Sequence, residues 1–217
     1  MAWPRGKVAA AILCALMPFA AMADDIRVLA LGDSLTQGYG LIEENGFVPQ
    51  LDAWLEAQGA DVAVINGGVS GDTSAGGAAR VDWSLTPDVD AMIVTLGGND
   101  LLRGIDPGVT RANIEQILKV AQAKSVEVLL VGMQAPGNYG PEYKQDFDSL
   151  YPELATAYGT LYAESFFAGI GTADPAKARE YFQDDGIHPN AEGVKKIVEG
   201  LGPKVMALID RVEGPGA

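Results

Sequence analysis

The chain contains a single histidine, His188, so any histidine-dependent chemistry must run through that residue. It stands in Asp184-Asp185-Gly186-Ile187-His188-Pro189, where a carboxylate three residues upstream can hold the ring in one tautomer. Far upstream, Gly32-Asp33-Ser34-Leu35 follows an apolar, strand-like run. A hydroxyl, an imidazole with an ordinary pKa near ~6.5 and a carboxylate are the parts of an activated nucleophile, which makes Ser34, Asp185 and His188 the triad to test. Each also has an ordinary duty. A lone histidine is more often a packed or surface residue, a serine after a strand caps a helix, and an aspartate beside glycine decorates a turn.

Attack on an ester or thioester carbonyl also needs donors placed where negative charge develops on oxygen. Gly71 can bring a backbone N–H close because it lacks a side chain, Asn99 can present an amide N–H, and the N–H of Ser34 is a third donor. Glycines at 67, 71, 97 and 98 equally permit tight strand-to-helix turns, and Asn99 or Asp100 equally caps a helix. One histidine among scattered carboxylates does not make a nitrogen-rich metal site, so neither metal nor cofactor is expected.

The elements that must position these residues are legible as apolar runs. Strand character recurs at Ile26 to Leu31, Val62 to Ile65, Ala91 to Leu96, Val126 to Val131 and, less clearly, Leu161 to Phe167. Helical spacing appears in Phe47, Leu51, Trp54 and Leu55, in Ile114, Ile117, Leu118 and Ala121, and in Val194, Ile197, Val198, Leu201 and Val205. Gly202-Pro203 is expected to kink or divide the last helix, and Pro189 to sit in its first turn. Near-continuous apolar strands alternating with amphipathic helices predict an α/β fold with a parallel sheet covered on both faces. Ligands of such sheets bind beyond the carboxyl ends of the strands, and every candidate follows an apolar run on that rim.

Met1 to Ala23 reads as a secretory signal peptide: Arg5 and Lys7, an apolar run from Val8 to Ala20 too short to span a bilayer, then Ala21-Met22-Ala23 as cleavage site. Residues 24–217 are then one exported domain, expected in the periplasm or beyond it, without a permanent membrane anchor. Loss of Arg5 and Lys7 moves the formal charge from −14 to −16, and such a field opposes nucleic acid and anionic membranes. Cys14 is the only cysteine and leaves with the leader, so the mature chain has no disulfide and is expected to stand as a monomer on its core. Glu213 to Ala217, with its glycine and proline, is expected to fray.

Four blocks in order, Gly32-Asp33-Ser34-Leu35, Asn66 through Thr73, Gly97-Gly98-Asn99-Asp100 and Asp185-Gly186-Ile187-His188-Pro189, resemble those of the GDSL, or SGNH, hydrolases over nearly the whole mature chain. Ser70 to Ser74, Leu96 to Asp100, Gly137-Asn138-Tyr139-Gly140 and Asp184 to Asn190 are most like the bacterial branch containing multifunctional thioesterase/protease/lysophospholipases and arylesterases. The resemblance implies a flavodoxin-like three-layer α/β/α sandwich with five parallel strands. It further implies Ser34 as nucleophile, Asp185 rather than Asp184 with His188 as the rest of the triad, and Gly71 and Asn99 as oxyanion donors beside Ser34. By the same resemblance, Leu101, Leu102 and Arg103 belong to a loop that shifts on substrate binding, and Pro136, Asn138 and Tyr139 to a loop lining the acyl site. Gly137 departs from the alanine usual there.

The expected activity is hydrolysis of short- to medium-chain acyl and aryl esters, with thioesters and lysophospholipids as further substrates. An α/β-hydrolase is excluded, since Gly32-Asp33-Ser34-Leu35-Thr36 lacks the second glycine of G-x-S-x-G. Two rivals stay open: a carbohydrate O-deacetylase with the same triad, and a non-catalytic exported lipid- or ligand-binding protein on the same fold.

Overall fold

The computed structural model describes Met1 and residues 26–171 and 175–214; the rest of the expected leader, residues 2–23, and residues 215–217 lie outside them. Five strands, β1 (Ile26–Gly32), β2 (Val62–Gly68), β3 (Ala91–Thr95), β4 (Glu127–Val131) and β5 (Leu161–Ala163), pair in parallel in the order β2-β1-β3-β4-β5. β1 and β3 are apolar on both faces because helices cover both sides, which is why they read as runs rather than alternations.

Among the described residues eight α-helices accompany the strands. α1 (Ser34–Gln37) and α2 (Phe47–Ala57) follow β1, α3 (Ser74–Ser84) follows β2, and α4 (Gly98–Leu102) and α5 (Pro107–Ala123) follow β3. α6 (Pro141–Tyr158) follows β4, while α7 (Pro175–Ala178) and α8 (Ala191–Glu213) follow β5. α2 packs against α8 on one face of the sheet; α3, α5 and α6 pack side by side on the other. The core between the layers is apolar: Leu51 and Leu55 of α2, Ile114 and Ile117 of α5 and Ile197 and Val205 of α8 are fully buried, at the three- and four-residue intervals the sequence displays.

Several boundaries differ from expectation. β2 runs on through Asn66-Gly67-Gly68, whose backbone pairs with Ala30 to Gly32. β5 stops at Ala163; the run to Phe167 is apolar because Phe166 is buried in the core, not because the strand continues. α3 gives little periodic signal, being built on alanine and glycine, whereas α6 buries Phe147, Leu150, Tyr151 and Leu154 at three- and four-residue intervals that the sequence reading does not single out. α8 is one helix of 23 residues with Pro203 inside it, so Gly202-Pro203 does not divide it. Proline deletes one backbone bond, and the buried stripe from Val194 to Ile209 holds both halves. Gly202 has a separate reason: a Cβ there would lie 2.6 Å from the Trp54 ring, so glycine lets α2 and α8 approach. Pro189 lies before the helix, bridged to Phe182, and Asn190 is the cap that accepts from the Gly193 N–H at 3.0 Å.

Candidate active site

The order β2-β1-β3 makes β1 the switch point of the sheet, because the chain leaves β1 for one side and returns to the other. A crevice must open beyond the carboxyl ends of β1 and β3. Ser34 enters it directly from β1. The helix cap there is Asp33, not Ser34: its Oδ1 accepts from the Leu35 N–H at 3.0 Å, which leaves the serine hydroxyl free for other work.

That hydroxyl lies 2.9 Å from Nε2 of His188, and Nδ1 of His188 lies 2.7 Å from Oδ2 of Asp185. Asp185 Oδ1 accepts two further bonds, from the N–H groups of Ile187 at 2.9 Å and His188 at 3.0 Å. The bond from the His188 ring, followed by these two backbone donors, holds the Asp185 carboxyl well below the usual carboxylate range. An ionised carboxylate on Nδ1 keeps the proton on that nitrogen and leaves Nε2 to accept from the serine. Among the described residues the carboxylate bonded to the ring is that of Asp185, while the Asp184 carbonyl accepts from Arg179 at 2.9 Å.

The oxyanion candidates surround the same point. Ser34, Gly71 and Asn99 all line one cleft with His188, and among the described residues neither the Ser34 nor the Gly71 N–H donates to a protein acceptor. Gly71 is required by conformation rather than by crowding. Its φ is +79°, while the nearest atom to an added Cβ would be 3.9 Å away. Asn99 is not a cap. It lies inside α4, and its Nδ2 donates to Oδ2 of Asp33 at 3.2 Å. Burial pushes the Asp33 carboxyl up to about 6, against the Leu35 and Asn99 bonds that favour its charge.

Two buried clusters, neither predicted, hold the loops. Asp100, fully buried, accepts from the N–H and hydroxyl of Ser74 and from the Thr110 hydroxyl, tying the start of α4 to α3 and α5. Arg80 of α3 pairs with Asp72 at 2.8 Å and donates to the carbonyls of Gly67 and Gly32 at 2.8 and 2.9 Å, across the ends of β2 and β1.

The cleft measures about 740 Å³. Leu101, Leu102 and Pro136 line it, joined by Leu35, Met133 and Ile187, whereas Arg103, Asn138 and Tyr139 stand outside its walls. Arg103 supports the rim instead, donating to the Gly71 carbonyl at 2.9 Å. The Tyr139 hydroxyl reaches the Leu102 carbonyl at 3.5 Å, so it braces α4. Phe167 and Phe182 also line the cleft, with ring centroids 5.6 Å apart. Their apolar type gave no signal separable from core, and only the fold brings them together.

Residues 30–196 match the model of the GDSL-like lipase/acylhydrolase family. The chain is similar to esterase TesA of Pseudomonas aeruginosa, 36% identical over 84% of this chain and 89% of the relative. It is similar also to thioesterase 1/protease 1/lysophospholipase L1 of Escherichia coli K12, 34% identical over 90% of each. Among solved structures it is similar to AlinE4, an esterase of the SGNH-hydrolase family, with 36% identity, a TM-score of 0.70 and coverage of 88% of this chain and 100% of that one. A serine on the switch-point rim, a matched family model and these relatives together lead to one statement: the chain belongs to the GDSL-like lipase/acylhydrolase family and is a carboxylic ester hydrolase of the SGNH fold.

Proposed function

We propose that the protein is a serine esterase acting through an acyl-enzyme on short- to medium-chain acyl and aryl esters, with thioesters and lysophospholipids as further substrates. The carrying observation is the run of contacts from Ser34 through His188 to Asp185, at 2.9 and 2.7 Å, inside an apolar cleft. Ser34 Oγ attacks the carbonyl carbon while Nε2 takes its proton; the oxyanion is met by the N–H groups of Ser34 and Gly71 and the Asn99 amide. Collapse of this intermediate expels the alcohol, which receives the proton from His188. Water, deprotonated by the same ring, then releases the acid and restores the serine. A cleft of about 740 Å³ is in the size range of small-molecule sites, and its aliphatic walls suit acyl and aryl groups better than an acetylated sugar.

Residues 24–217 are proposed as a single monomeric domain released by removal of the leader, working outside the cytoplasm without a cofactor. Among the described residues no helix is long and apolar enough to cross a membrane.

Hydrolysis of p-nitrophenyl acetate, butyrate and octanoate by the mature chain, beside Ser34→Ala, tests the reading. Turnover is expected to vanish in Ser34→Ala and to fall by about 10³–10⁴ in Asp185→Asn, while Asp184→Asn stays near the parent. A folded parent inactive at every chain length would overturn the activity, and equal losses in the two aspartate variants would overturn the choice of Asp185.

A further inference from the structure

The side chain packed on the imidazole has had no role so far. Tyr39 lies just beyond α1, with its ring centroid 4.6 Å from that of His188 and the planes inclined by 39°, and both residues line the cleft. This separation and tilt fall in the range of favourable aromatic contacts.

Three sets of bonds fix the pair. The N–H groups of Gly38 and Tyr39 both donate to the Ser34 carbonyl at 3.1 Å, so the chain after α1 folds back onto the serine's own backbone. The Tyr39 carbonyl accepts from Nε2 of Gln183 at 2.8 Å. That nitrogen also donates to the Pro189 carbonyl at 3.0 Å, while the Gln183 N–H donates to the His188 carbonyl at 2.8 Å. Gln183 therefore grips the histidine segment at two consecutive carbonyls and joins it to Tyr39. Ser34, Tyr39, Gln183 and His188 form a closed loop of contacts across 154 residues of sequence separation.

Resting on the reading of Ser34, His188 and Asp185 as the triad, we propose that Tyr39 is a positioning residue for the base: its ring walls one face of the imidazole and holds Nε2 on Ser34 through both proton transfers. Asp185 holds the ring at Nδ1, but one bond leaves the imidazole free to swing about its Cα–Cβ and Cβ–Cγ bonds, which carries Nε2 away from Ser34. A flat group against the ring face closes that freedom. The work is done by the aromatic face, so phenylalanine should replace tyrosine.

The test compares the parent with Tyr39→Ala, Tyr39→Leu and Tyr39→Phe in kinetics and in proton NMR, where His188, as the only histidine, gives unambiguous ring signals. Tyr39→Ala and Tyr39→Leu are expected to lower kcat about 10-fold with KM changed less than about 2-fold, since the loss falls on the chemical step. The Nδ1–H resonance should broaden in both, and Tyr39→Phe should restore both readouts. Parental kcat in Tyr39→Leu, a loss confined to KM, or failure of Tyr39→Phe to restore kcat would each overturn the proposal. Leucine keeps the apolar bulk should the alanine variant not fold. Activity surviving in Ser34→Ala would instead overturn the underlying triad reading, so the two failures are distinguishable.

Discussion

Asp33 is the residue where stability and site geometry pull in opposite directions. It is 2% exposed, and burial raises its pKa from 3.8 to about 6. A carboxyl with a raised folded pKa binds its proton more tightly in the native state, so between about pH 4 and 6 the folded chain holds more protons than the unfolded one. Stability therefore falls as pH rises through that window, by on the order of 2–3 kcal/mol, and the penalty persists above it. Asparagine can still cap α1 but carries no charge. Asp33→Asn should accordingly be more stable than the parent at pH 7.5 and close to it at pH 4, as read from urea unfolding at the two values; an equal difference at both would refute the assignment. The same change sets an amide against the Asn99 amide, and turnover should fall as stability rises. The meeting of Ser34, Asp185 and His188 was legible in the sequence because His188 is unique, Asp185 stands three residues before it, and Ser34 directly follows the first apolar run. Asp33, Tyr39 and Gln183 were not, because their contacts at 3.2, 4.6 and 2.8 Å depend on backbone turns that side-chain type does not encode.

At the scale of elements, the loops of the site are held by bonds to the ends of neighbouring strands. Arg80 shows the principle: one guanidinium on α3 joins Asp72, Gly67 and Gly32, with the arginine and Asp72 side chains only 11% and 13% exposed. Removing it takes this donor from a largely buried carboxylate and from two carbonyls. Arg80→Met should cost about 2–4 kcal/mol in urea unfolding, and Arg80→Met with Asp72→Asn should cost less than the single change, because the unpaired charge is gone. A double variant weaker than the single one would mean that the ion pair is not the source of the loss. Strands were readable as elements because burial on both faces writes a continuous apolar run, as in the fully buried Ala91–Thr95. α3 escaped because alanine and glycine make a weak stripe, and only Val81 among its large side chains is fully buried. Pro203 misled in the other direction: a breaker by local chemistry, it is overridden by the buried stripe along α8.

The whole molecule adds a charge selection that no single residue carries. The formal charge is −14, and no lysine or arginine is among the described residues lining the cleft. Arg103, a cation beside it, is engaged with the Gly71 carbonyl, and Arg179 with the carbonyls of Gln183 and Asp184. A polyanionic leaving group such as coenzyme A thus approaches a repulsive field and finds no counter-charge at the end of its path. A neutral thioester with the same acyl group meets the same apolar walls without that barrier. Repulsion between solvent-exposed charges is screened within about 10 Å at 0.1 M salt. Raising salt from about 20 to about 300 mM should therefore increase kcat/KM for an acyl-coenzyme A about 3- to 10-fold, while kcat/KM for the matching neutral thioester changes less than about 2-fold. The paired comparison separates field from pocket. A coenzyme A rate that falls with salt would reveal an attractive anion path, and a parallel rise in both substrates would point to the fold rather than the field. If the ratio alone moves, the excess of carboxylates selects against charged leaving groups at long range, before any wall of the cleft is touched.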